Sequence, residues 1–142
     1  MKKRIIVVDC CAQTRECAAQ HLQTEGVSIE CFSDWRAAVD SIRAQGADVV
    51  LVDMTQLCPE CTRFMSEMKA LNPFLNLIVM TSDASPEEVK DMLDDGSADV
   101  VKKPVDGEVM REAVRLALAK GDRWRALRKR LAERKISDSE MN

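Results

Sequence analysis

The chain has 142 residues, 46% hydrophobic and 32% charged, with a net charge of −3 at pH 7. That length suits one domain burying roughly two-thirds of its unfolded surface, and the composition is that of an ordinary globular protein. No apolar run approaches the roughly 20 residues of a membrane span, and Met1-Lys2-Lys3-Arg4-Ile5 opens a run too short for a secretory leader, so a cytoplasmic protein is expected. From Lys120 onward there are eight Lys or Arg against four Asp or Glu, so the preceding body carries −7. An acidic body disfavours nucleic acid, whose binding rests on phosphate neutralisation.

In chain order, the first strand is predicted at 4–8 and ends at Asp9, followed by a helix over 13–24 and Gly26. A second strand at 27–32 leads through the capping candidate Asp34 into a helix over 35–45, stopped by Gly46. The third strand, 48–52, gives out at Asp53, and a helix over 60–71 ends at Asn72-Pro73. A fourth strand at 76–81 finishes on Thr81. Ser85-Pro86-Glu87-Glu88 then has the pattern of a capping box for a helix over 86–94. After Gly96, a strand at 99–102 meets Lys103-Pro104, and Asp106 is placed to cap a helix over 107–119. The helical pattern continues past Ala119 with Trp124, Leu127 and Leu131 on one face, and Gly121 reads as a joint. The division expected is a domain at 1–119 and a basic helical extension at 120–142.

Five βα units with right-handed crossovers give an α/β fold, a doubly wound (βα)5 three-layer sandwich. The strands at 4–8 and 48–52 are almost wholly apolar, as when helices cover both faces of a parallel sheet. Asp9, Asp53, Thr81 and Lys103 each stand where an apolar run ends. Ligands of such sheets collect at the carboxyl ends of the strands, so these four residues read as one site. A divalent cation, a hydroxyl and an ammonium beside a carboxylate are what phosphoryl transfer to that carboxylate needs.

These residues resemble the receiver domains of two-component response regulators over about 4–119. The resemblance rests on Val7-Val8-Asp9, Val49-Val50-Leu51-Val52-Asp53, Val79-Met80-Thr81-Ser82, Gly96-Ser97-Ala98-Asp99 and Lys103-Pro104, in order and at βα spacing. It implies a flavodoxin-like sheet of order 2-1-3-4-5. It also implies that Asp53 accepts a phosphoryl group from a phosphohistidine donor, a histidine kinase or phosphotransfer protein. Thr81 and Lys103 would bind that group. Asp9, Asp53 and the backbone carbonyl of Thr55 would hold Mg²⁺, and the Lys103-Pro104 peptide would be cis.

Three departures from the pattern stand out. Cys10 replaces the usual second acid, which weakens an oxygen site for Mg²⁺. Val100 stands where the family has Tyr or Phe and cannot make that ring's inward turn. The loop after Asp53 carries Leu57 and Cys61 in place of the usual Pro and Gly, and Trp35 takes the place of another Gly. Cys10 and Cys11 in the first loop, with Cys58 and Cys61 in the third, give an alternative: a thiol site for Zn²⁺ or a redox disulfide. Cys17 and Cys31 are expected at the core or its edge, and His21, the single histidine, in solvent or at a cap.

The leading expectation is a stand-alone receiver, not an enzyme, that signals by contact with a downstream protein, with a homodimer through the tail as a further expectation. Alternatives are a phosphorylation-independent pseudo-receiver and a cysteine-based metal or redox sensor on the same fold.

Overall fold

The computed structural model of the chain describes residues 2–54, 61–94 and 99–140. Strands β1 (Lys3–Val8), β2 (Val27–Phe32), β3 (Val49–Asp53), β4 (Asn76–Thr81) and β5 (Asp99–Lys102) form one parallel sheet of order β2-β1-β3-β4-β5. Helices α1 (Ala12–Leu22), α2 (Trp35–Gln45), α3 (Cys61–Leu71), α4 (Pro86–Asp94) and α5 (Gly107–Glu140) cover it. The order reverses between β1 and β3, whose register pairs Val8 with Val52. Asp9 and Asp53 therefore leave the sheet side by side.

Alternation along the strands sends side chains to two separate cores. Ile6, Val8, Val50, Val52, Leu77 and Val79 meet α2, α3 and α4 through residues such as Val39, Ile42, Phe64, Met68 and Met92. Ile5, Val7, Val49, Leu51, Ile78 and Met80 meet α1 and α5 through Ala18, Leu22, Met110, Ala113, Val114 and Ala117. The last four sit at i, i+3, i+4 and i+7, one stripe of a helix. Trp35, whose position had read as a lost glycine, is a core residue: it is buried and meets Phe64 edge to face at 5.7 Å.

The caps follow the sequence closely. Ser85 accepts from the Glu88 N–H at 3.1 Å while Glu88 accepts from the Ser85 N–H at 3.5 Å. Asp34 accepts from Arg36 N–H, Asp106 from Glu108 N–H, and Gly46, at φ 74°, closes α2 by donating to the Ile42 carbonyl. Gly26 differs. α1 ends at Leu22, and Gly26, at φ 82°, sits in the turn that enters β2. Gly96 lies outside the described residues.

The final helix is also longer than expected. It runs without interruption from Gly107 to Glu140, so Gly121 is not a joint. Its missing side chain serves a contact. The buried Asn76 amide donates to the Ala117 carbonyl at 2.8 Å, and a Cβ on Gly121 would come within 3.2 Å of that amide. Beyond it, Trp124 packs on Phe74 at 5.8 Å between ring centroids, Arg128 lies over the same ring, and Asp122 accepts from Lys3 at 2.8 Å. The first turns of the extension are thus tied to the amino end of the sheet, opposite Asp53.

Candidate functional site

Asp9 is fully buried and Asp53 is 3% exposed. Asp9 follows β1 and Asp53 ends β3, strands whose apolar side chains fill both cores, so the backbone delivers the carboxylates to the carboxyl edge with little freedom. Asp9 is held further: its Oδ1 accepts from the Cys11 N–H at 2.8 Å, and its carbonyl accepts from Arg15 at 2.7 Å. An Asp two residues before a helix N-cap is a recognisable side-chain turn signal. The Arg15 contact crosses from α1 and had no such signal.

Lys103 joins the two acids. Its Nζ donates to Asp9 Oδ2 at 2.7 Å and stands 3.6 Å from Asp53 Oδ1. Burial pulls the ammonium's pKa down, but the hydrogen bond to Asp9 and the charges of Asp53 and Asp9 outweigh it, and the net shift is upward. The Lys103 N–H donates to the Thr81 carbonyl at 2.7 Å, which ties this loop to the end of β4, and Lys103-Pro104 is cis. Thr81 is buried and, with Ser82, Asp83, Ala84, Val89 and Val100, lines a groove of about 290 Å³ between α4 and β5. Val100 forms part of this wall, in the place where the resemblance to receiver domains implies an aromatic ring.

Of the residues singled out from sequence, Asp9, Cys10, Asp53 and Lys103 converge. Donor atoms of Asp9, Cys10 and Asp53 lie within 4.8 Å of one another. Cys11 does not join them. It is exposed at the start of α1 and lines a different groove, with Gln13, Thr14, Cys17, Ser82, Lys103 and Pro104. Its thiol is held below the usual range chiefly by the Thr14 N–H, then by the Thr14 hydroxyl and the Gln13 N–H. Cys17 and Cys31 are half-buried at the margin of the α1/α5 core. Thr55, Cys58 and the side chain of Cys61 lie outside the described residues.

His21 corrects its expectation. It is half-buried, its ring lies where a Cβ on Gly107 would have to go, and its carbonyl accepts from Arg111 at 3.0 Å. The glycine at the start of α5 makes room for the histidine at the end of α1.

Comparison with known proteins settles the family. The receiver-domain model of response regulators matches residues 5–115. The chain belongs to the response regulator receiver domain family. It is 30% identical over 94 residues to the transcriptional regulatory protein ZraR of Escherichia coli, covering 66% of this chain and 21% of that protein. It is 29% identical over 114 residues to a cyclic di-GMP phosphodiesterase of Thermotoga maritima, covering 80% of this chain and 30% of the relative. The chain thus spans between a fifth and a third of these relatives. Among solved structures, a CheY-like receiver domain from Methanospirillum hungatei superposes with TM-score 0.77 at 24% identity, covering 87% of this chain and 98% of that one. NtrX from Brucella abortus gives 0.80 at 21% identity over 91% of this chain and 29% of that one. The sheet order and the parallel five-stranded architecture are those of this flavodoxin-like fold.

Receiver domains are signalling modules and typically bind Mg²⁺ at the acceptor aspartate. The donor set of this receiver does not suit that ion. Mg²⁺ demands hard oxygen ligands in a near-ideal octahedron, and here a cysteine sulfur stands with the two carboxylates.

Proposed function

We propose that this receiver accepts a phosphoryl group on Asp53 from a phosphohistidine of a histidine kinase or phosphotransfer protein, and passes the signal on by protein contact. The observation that carries the proposal is the placing of Lys103 Nζ between two buried carboxylates, 2.7 Å from one and 3.6 Å from the other. In the reaction, an Asp53 oxygen bonds to phosphorus as the phosphorus–nitrogen bond to imidazole breaks. The bonding pair leaves with the imidazole, which takes up a proton. Lys103 offsets the charge on the incoming group, and the Thr81 hydroxyl is proposed to bond one of its oxygens. Asp9 orients Lys103. The product takes this position from the −1 of the carboxylate to about −2, next to an ammonium already engaged with Asp9, so Lys103 is proposed to turn from Asp9 toward the phosphoryl group.

With Val100 in the groove beside Thr81, the output is proposed to bypass an aromatic rotation and to use surfaces on α4, β5 and α5. The basic extension, 120–142, is a proposed second contact surface, since Trp124, Leu127 and Leu131 are 41%, 39% and 50% exposed. Self-association through it would change on deleting residues 121–142, read by sedimentation. A cytoplasmic setting beside the kinase belongs to the same proposal.

Incubation with a small acyl phosphate tests the acceptor assignment by intact mass. The wild type is expected to gain one phosphoryl group and Asp53→Asn none. Equal gain in both would overturn the assignment. A second reading, a receiver-like contact module that works without phosphorylation, is favoured by Cys10 and Val100; no gain in the wild type would select it.

A further inference from the structure

Asp9 and Asp53 are 0% and 3% exposed, and among the described residues one ammonium, Lys103, faces both carboxylates. Arg15 bonds the Asp9 carbonyl, not its carboxylate. Two buried carboxylates and one ammonium leave an excess of negative charge at the mouth of the sheet, and buried charge of one sign calls for a counter-ion. Beside them is an exposed thiol. The donor atoms of Asp9, Cys10 and Asp53 lie within 4.8 Å of one another. Charge excess and convergent donors are separate observations that point to a cation.

Donor chemistry decides which cation. Mg²⁺ holds oxygen ligands at about 2.0–2.1 Å and dehydrates reluctantly, and a sulfur cannot serve it. Zn²⁺ takes thiolate at about 2.3 Å and carboxylate at about 2.0–2.2 Å in a tetrahedron, which sets neighbouring donors roughly 3.5 Å apart. Closing from at most 4.8 Å to that spacing needs an inward movement of no more than about 1.3 Å, which Cys10, exposed in the loop before α1, can make. Asp9 need not leave its partners. The Asp9 oxygens each accept one bond from Lys103 or Cys11 and each keep a second lone pair. We infer that Asp9, Cys10 and Asp53 form a three-ligand site for a thiophilic divalent cation of the zinc type, with a fourth position left for water or an oxyanion, and that Cys10 turns the site away from Mg²⁺. As the sulfur–metal bond forms, the thiol proton passes to solvent. The inference holds whether or not Asp53 is ever phosphorylated.

The full chain is titrated with Zn²⁺ against a chromophoric chelator, with Co²⁺ as an optical probe, and with Mg²⁺ followed by amide NMR. The wild type is expected to show sulfur-to-cobalt charge-transfer absorption. Cys10→Ser should lose that absorption and weaken Zn²⁺ binding at least about tenfold, whereas Cys10→Asp should lose it and strengthen Mg²⁺ binding at least about tenfold. Cys11→Ser and the double variant Cys58→Ser/Cys61→Ser should leave all three titrations as in the wild type. Absence of the absorption in the wild type overturns the inference without recourse to any variant. So does absorption that survives Cys10→Ser, or that disappears only in the Cys58/Cys61 variant. Mg²⁺ binding by the wild type equal to that of Cys10→Asp also overturns it. No phosphodonor enters these titrations, so their failure and the failure of the acceptor assignment are read separately.

Discussion

Replacing Lys103 by Met keeps most of the side chain's length and removes its charge. The ammonium stands 2.7 Å from Asp9 and 3.6 Å from Asp53, with both acids buried. At an effective dielectric of about 20, unit charges at these separations attract by about 6 and 5 kcal/mol, gross values from which the ammonium's own desolvation must be taken. Breaking a buried pair by removing one partner costs about 3–5 kcal/mol, and that is the destabilisation expected for K103M. The carboxylates left behind are donors within 4.8 Å of each other, and their repulsion at the same dielectric is at least about 3.5 kcal/mol.

That repulsion makes the prediction specific. Asp53→Asn in the wild-type background removes both a repulsion and an attraction, so its effect should be small. In the K103M background the attraction to Lys103 is gone while the repulsion from Asp9 stays, and D53N should restore about 2–3 kcal/mol. Urea unfolding, followed by far-ultraviolet circular dichroism and by fluorescence of the buried Trp35, measures all four proteins. The expected order of stability is D53N close to wild type, then the double variant, then K103M. A K103M protein within about 0.5 kcal/mol of wild type, or a double variant no more stable than K103M, would refute the charge balance argued for this site.

Three further predictions rest on other contacts. The Lys103 pKa is raised in the folded protein from 10.5; its contribution to stability is thus complete below that value and lost as pH rises through the folded one. The gap in unfolding free energy between wild type and K103M should accordingly be full at pH 9 and shrink above pH about 10.5; a gap that widens would have the sign wrong. Gly107→Ala would place a methyl on the His21 ring and should cost about 1–3 kcal/mol, but much less in a His21→Ala background, so equal costs in both would remove the packing explanation. Trp124→Ala removes the ring contact with Phe74 and should cost about 1–2 kcal/mol in thermal or urea unfolding; no change would mean that the extension is not held to the sheet in solution.

Which features were legible in the sequence follows from how local their causes are. Apolar runs that end on Asp9, Asp53, Thr81 and Lys103 give both the strands and the edge on which polar groups gather, because a parallel strand's burial is written in its own residues. Ser85 with Glu88, Asp34 and Asp106 carry their caps within four positions. The edge-to-face contact of Trp35 with Phe64 on α3 and the fit of His21 against Gly107, by contrast, join residues far apart in the chain. Gly121 reads as a joint because a mid-helix glycine weakens a helix by about 1 kcal/mol. The Asn76 amide and the ties of Lys3 and Phe74 to the next turns outweigh that local preference. The same division runs through the site. Cys10 could be seen in the sequence as the residue that departs from the pattern. What it faces, two carboxylates sharing one ammonium, needed the pairing of β1 with β3 and the return of the Lys103 loop to β4. A cysteine at that place is therefore not simply a lost acid: it adds a soft donor to a pocket whose charge already favours a cation.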